Sequence, residues 1–170
     1  TYIFSISALN SNGASDSAIS NSVVPQPNWI SQVIDKGADG KYLTQGIFAG
    51  KQFIIYSDSK HGLLKMATYL NGKWQIKTID GDSTLDGRTT NDVSGSNSYC
   101  IGQKGKKNVL DILYADLTDK DLRLAEFDGT KWDYSVVDGN ASTVQDYKEL
   151  NRTITGSDVS VSNSCVRTND

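Results

Sequence analysis

Two stretches of this chain are one unit written twice, and no other feature constrains the fold as much. Tyr56-Ser57-Asp58 heads a segment that runs through Leu64-Lys65-Met66-Ala67 and Tyr69 to Gly72-Lys73-Trp74, then Ile79-Asp80-Gly81. Tyr114-Ala115-Asp116 heads its counterpart, through Leu122-Arg123-Leu124-Ala125 and Phe127 to Lys131-Trp132, then Val137-Asp138-Gly139. Tyr, Trp and closing Asp are each 58 positions apart, so about 26 residues align without a gap. A fixed-period repeat of strand-like units means an array in which each unit buries its face against its neighbours. Residues that recur with the period therefore answer first to architecture.

The repeat extends both ways. Trp29 stands six positions before Asp35, as Trp74 does before Asp80 and Trp132 before Asp138. Asp158-Val159-Ser160 through Cys165 echoes Asp92-Val93-Ser94 through Cys100 with one residue deleted. Each whole unit reads as four short strands: Tyr42–Ala49, Gln52–Asp58, Leu63–Leu70 and Lys73–Asp80, then Val93–Ile101, Val109–Ala115, Leu122–Phe127 and Lys131–Asp138. Turn chemistry divides them, with Asn71-Gly72 the strongest hairpin signal because both residues tolerate positive φ. Trp29–Asp35 reads as a last strand with none before it, and Asp158–Val166 as a first strand with none after. Four-stranded antiparallel units at this period, each with a tryptophan opening its last strand, predict blades of a β-propeller. The expected fold class is all-β: a partial propeller of about two whole blades plus flanking strands over 29–170, forming an open arc.

The pattern Tyr-x-Asp … Leu-Lys-x-Ala-x-Tyr-x-Gly-x-x-Trp … Val-Asp resembles a family of secreted, mostly bacterial β-propeller repeats. The resemblance covers about Trp29 to Asp170. It implies architecture rather than activity, since propellers host many unrelated functions.

Residues 1–25 differ. Thr1–Asn10 alternates apolar and polar residues, Ser11-Asn12-Gly13 makes a turn, and Ala18–Val24 follows as a second strand. This resembles the last two strands of a fibronectin type III domain. Pro25-Gln26-Pro27 reads as a stiff linker over 26–28. The net charge of −3 is mild and the cations are scattered, which argues against a nucleic-acid partner. No apolar run is long enough to span a bilayer. The many Ser, Asn, Asp, Gly and Thr residues fit an extracellular or cell-surface location.

The candidate chemical residues each have an architectural alternative. His61, the single histidine, sits in a turn; a Ser-His-Asp triad or a metal site would have to be built on it. Cys100 and Cys165 occupy matching repeat positions and read either as a disulfide or as two small buried thiols. Asp35-x-x-x-Asp39-Gly40 and Asp82-x-x-x-Asp86-Gly87 are oxygen-rich loops of a kind that can hold calcium, but they lack ordered ligand spacing. No cofactor or metal is assigned. Asp58 and Asp116 follow the repeat tyrosines; a glycosidase needs two carboxylates, yet copies made by repeat symmetry are expected to bond turn amides. Trp29, Trp74 and Trp132 either stack on sugars or pack between blades. Tyr42, Tyr99 and Tyr147 do not recur and are the better candidates for a surface contact. Asn140 and Asn151 begin glycosylation sequons.

Three functions are compatible with these residues. The preferred one is a non-catalytic recognition or adhesion module binding a glycan or protein, with self-association through open blade edges. The second is a structural repeat of a filament or matrix. The third is a piece of a glycoside-cleaving propeller whose catalytic residues lie elsewhere. An enzyme is expected to show unique residues that break the repeat.

Overall fold

A computed structural model describes residues 5–7, 9–11, 13–19, 22, 31–139, 158–160 and 162–167. The chain divides into two compact parts, Thr1–Val33 and Ile34–Asp170. All regular structure among the described residues is β-strand.

The described residues of the first part form two short antiparallel ladders. Strands β2 (Leu9–Asn10) and β3 (Gly13–Ala14) pair around the Ser11–Gly13 turn, and β1 (Ser5–Ile6) pairs with β4 (Ala18–Ile19) further out. The partner sum drops by one between the two pairs, from Ser5↔Ile19 to Leu9↔Ala14, so the ladder does not run straight through.

The second part holds two four-stranded antiparallel meanders. The first is β5 (Lys41–Phe48), β6 (Lys51–Asp58), β7 (Leu63–Leu70) and β8 (Lys73–Asp80). The second is β9 (Asn97–Lys104), β10 (Lys107–Asp116), β11 (Asp121–Phe127) and β12 (Trp132–Asp138). Strands β7 and β8 match their predicted limits, joined at Asn71 (φ 51) and Gly72 (φ 79), the geometry of a type I′ turn. Each sheet carries the same bulge, at Leu64/Lys65 and at Leu122/Arg123. The defect therefore belongs to the repeat.

The sheets pack face to face. Phe53, Ile55, Leu64 and Ile79 of the first meet Leu110, Ile112, Tyr114 and Ala125 of the second in one buried cluster. Approach is closest at the first strands, β5 and β9.

Among the described residues two expected strands are absent and a third is shortened, with β9 beginning at Asn97 rather than Val93. Ser31–Asp35, the described part of Trp29–Asp35, is not strand. Val93–Ser96 is not strand either. Val93 N donates to Gly62 O of the other repeat at 3.0 Å, Ser94 N bonds back to Asp92 Oδ1, and Ser96 O accepts from Ala115 N of its own sheet. The described residues of Asp158–Val166 form no ladder with β9. That segment is held instead by Asn163, which donates to Ser96 O, and by a disulfide from Cys165 to Cys100.

Candidate functional site

The repeated acids and tyrosines form clasps between successive repeats. The acid that closes one repeat accepts the phenolic proton of the next. Tyr56 donates to Asp35 at 2.8 Å, and Tyr114 donates to Asp80 at 2.5 Å. A cation at the shared bulge joins each clasp. Lys65 lies 3.1 Å from Asp35 and 2.7 Å from Asp58, and Arg123 lies 3.3 Å from Asp80. A bulge re-aims a side chain, and here it turns the cation onto the neighbouring repeat's acid. Burial would raise Asp58, but hydrogen bonds from Lys65 and His61 outweigh it and hold the carboxyl below its ordinary value. Asp35 is lowered in the same way, burial being outweighed by Tyr56, Gly37 and Lys65. Tyr114 is pushed far up by burial and by Asp80, so it stays a donor.

Asp116 differs from Asp58. Its Oδ1 accepts the turn amides of Thr118 and Asp119, both at 3.0 Å, and Oδ2 accepts from Asn91. Burial nevertheless raises it. Each of the two carboxylates is thus engaged within its own repeat's turn or clasp.

His61 pairs through Nδ1 with Asp58 at 2.8 Å. The adjacent hydroxyl, Ser59, donates instead to Asp39 at 2.6 Å, which leaves it bound to another acid rather than to the imidazole. Among the candidate calcium ligands, Asp35 serves the clasp, Asp39 caps Ser59 and Lys60, and Asp82 pairs with Arg88 at 2.8 Å. No group of three His, Cys, Asp or Glu able to hold a metal ion occurs among the described residues.

The cysteines are bonded. Their Cα atoms are 5.3 Å apart, within bridging range, because the segment at 158–167 lies directly against β9.

Trp74 and Trp132 are half-buried rather than enclosed between sheets. Trp74 packs on Tyr69 of its own sheet, ring centroids 5.2 Å apart. Trp132 stacks on Phe127 at 4.8 Å, and Lys77 of β8 reaches over its ring at 5.5 Å. Both residues open the last strand of their sheet, away from the closest approach at β5 and β9. A groove of about 380 Å³ opens there between the sheets, floored by Phe48, Phe53, Met66, Leu110 and Phe127 and walled by Trp132. The rings of Phe48, Phe127, Trp132 and Tyr134 run in a row, with successive centroids 5.9, 4.8 and 6.4 Å apart. Lys51 and Lys77 edge the groove, and neither forms an ion pair among the described residues.

Of the non-recurring tyrosines, Tyr99 is not a free surface group. Its hydroxyl donates to Gln45 O at 2.6 Å and its ring meets Phe53 edge-on, so it ties the two sheets together. Tyr42 is exposed (56%) over a second, hydroxyl-lined cleft. Trp29, Tyr147, Asn140 and Asn151 lie outside the described residues.

Comparison with known proteins finds no matching family model, no matching curated protein and no matching solved structure.

Proposed function

We propose that this chain is a non-catalytic recognition module that binds a glycan or protein ligand at the extracellular side of a cell or in a secreted protein. The observation that supports it is the inter-sheet groove, with Phe48, Phe53, Phe127 and Trp132 in its lining, an apolar floor, and lysines that form no ion pair among the described residues. Concave apolar sites with a few convergent polar groups are where ligands bind. The Cys100–Cys165 disulfide fits an oxidising compartment.

The finer architecture belongs to the same proposal. Two like sheets, approaching at their first strands and joined by a repeating clasp, are what consecutive propeller blades require. The N-terminal hairpin fits the end of a fibronectin type III domain. An arc of this kind keeps strand edges that favour self-association.

A purely structural array is the competing reading. The clasps favour it, because among the described residues the recurring tyrosines and bulge cations are engaged in bonds between repeats. An enzyme whose active site lies in other blades is the third.

Display of the purified chain on glycan and extracellular-protein arrays tests the proposal. Retention of a ligand that Trp132→Ala weakens at least tenfold supports it. Retention of nothing by the folded chain leaves the structural reading in its place.

A further inference from the structure

Five described non-glycine residues have positive φ, and four of them, Ala49, Asn71, Asp86 and Lys120, sit in turns. Tyr42 (φ 50) alone lies inside a strand. For a bulky residue this is a genuine outlier, and strain of this kind gathers at binding sites.

Register explains the outlier. In the first sheet Thr44 pairs with Ile55 and Lys41 with Ser57, so Tyr42 and Leu43 together face Tyr56. In the second sheet Asn97 pairs with Tyr114, and Ala115 N bonds Ser96 O, with no extra residue. Tyr42 is thus the residue by which the first repeat departs from the second. The left-handed position of such a bulge is the natural place for glycine, and this chain puts an exposed tyrosine there.

The cleft beside it, of about 250 Å³, is lined by Lys41, Ser59, Asp92, Ser94, Ser96 and Ser160. Ser59, Ser94 and Ser160 already donate to Asp39, Asp92 and Asp158, leaving oxygen lone pairs as acceptors. Ser96 Oγ accepts from Asn163, so its own proton remains to donate. Asp92 Oδ2 accepts no hydrogen bond among the described residues. Lys41 lies 3.8 Å from Asp39, which leaves the negative charge of Asp92 in the cleft lining.

We propose that this cleft is a monosaccharide subsite for a neutral pyranose, with the apolar C–H face of the sugar on the Tyr42 ring and its hydroxyls on the serines and Asp92. A pyranose matches the cleft: its hydroxyls donate to the free serine lone pairs and to Asp92 and accept from Ser96, and it has one apolar face for an exposed aromatic. The carboxylate of Asp92 favours a neutral sugar over an acidic one. The assignment rests on the recognition reading but names a different site from the Trp132 groove.

Ligand-observed NMR and calorimetry with methyl glycosides of glucose, galactose, mannose and N-acetylglucosamine test it. At least one should bind, weakening at least tenfold in Tyr42→Ala and staying within about threefold in Tyr42→Phe. Tyr42→Gly keeps the bulge without strain, so it should fold and lose the sugar equally. Binding that survives Tyr42→Ala in a folded protein overturns the assignment, as does the absence of binding by every probe. Binding lost in Trp132→Ala but kept in Tyr42→Ala moves the sugar to the groove, which refutes the subsite and leaves the recognition reading standing.

Discussion

Tyr114, buried in the second sheet, donates its phenolic proton to Asp80 at the end of the first, 2.5 Å away, and the bond spans the interface between two repeats. Tyr56 and Asp35 make the same bond one repeat earlier. The two clasps differ in depth. Asp80 and Tyr114 are fully buried, whereas the Asp35 side chain is 16% exposed. Tyr114→Phe leaves a buried carboxylate short of one donor and should cost about 1–3 kcal/mol. Tyr56→Phe should cost less, about 0.5–1.5 kcal/mol, because Asp35 keeps Lys65, Gly37 and access to water. Urea unfolding of both variants decides it; equal, negligible losses would remove the clasp as a stabilising device.

Acid should undo the first clasp. Asp35 and Asp58 both have lowered values in the folded protein. Their stabilisation is therefore fully present above the unfolded carboxylate value of about 4, and is lost as pH falls through the lower folded value. Asp111 is the opposite case, because burial raises it despite Arg167. Its contribution is present below about pH 4 and lost as pH rises past the raised value. Asp58→Asn should lower stability at neutral pH and flatten the acid limb of a stability-versus-pH curve. An acid limb unchanged from the parent's would show that other groups govern it.

The disulfide closes a sequence separation of 65 residues. Loop-closure entropy puts the stabilisation at about 4 kcal/mol or less. The described residues of 158–167 have no ladder pairing, so the bond also holds them in place beside the contacts of Asn163 and Arg167. Cys165→Ser with Cys100→Ser should lower the urea midpoint. Amide exchange should then quicken at Asn163–Arg167 more than in β10 and β11. Uniform quickening across the sheets would mean the bond acts only on the unfolded chain.

What the sequence made legible was local or periodic. Asn71-Gly72 states its own turn, and the 58-residue offset of Tyr, Trp and Asp states the array. The clasp was hidden although all of its members recur. Asp58 invited a turn reading, yet it serves Lys65 and His61, and the partner of Tyr56 is an acid 21 positions upstream. Pairing across an interface leaves no local trace. Tyr42 was harder still, since its backbone state depends on a register between β5 and β6 that composition does not reveal. Residues 31–35 and 93–96, strand-like in sequence but not strand in the fold, show the same limit, since Val93 N is committed to Gly62 O rather than to a neighbouring strand.

The two tryptophans should not be equivalent. Trp132 stacks on Phe127 and lies under Lys77 from the other sheet, whereas Trp74 leans on Tyr69, itself 41% exposed. Full burial would make either Trp→Ala change cost about 3–5 kcal/mol. Half-burial reduces this to about 2–3 for Trp132 and about 1 for Trp74, since fewer contacts are lost. Denaturation midpoints test the order, and a larger loss for Trp74→Ala would show that its face is covered in solution.

Tyr42 should reveal a conflict between stability and binding. A tyrosine at φ 50 carries strain that glycine does not, about 1–2 kcal/mol in the left-handed region. Glycine returns part of that through its greater freedom in the unfolded chain, so Tyr42→Gly should stabilise the protein by about 1 kcal/mol or less. The exposed ring contributes little packing to set against this gain. Most surface substitutions change stability by half a kcal/mol or less in either direction, so a consistent gain would mark the site as strained. Differential calorimetry of Tyr42→Gly beside Tyr42→Ala is the measurement. Alanine keeps the strain and should show no gain. If glycine destabilises the fold as much as alanine does, the tyrosine is there for structure, and the backbone outlier no longer points to a ligand.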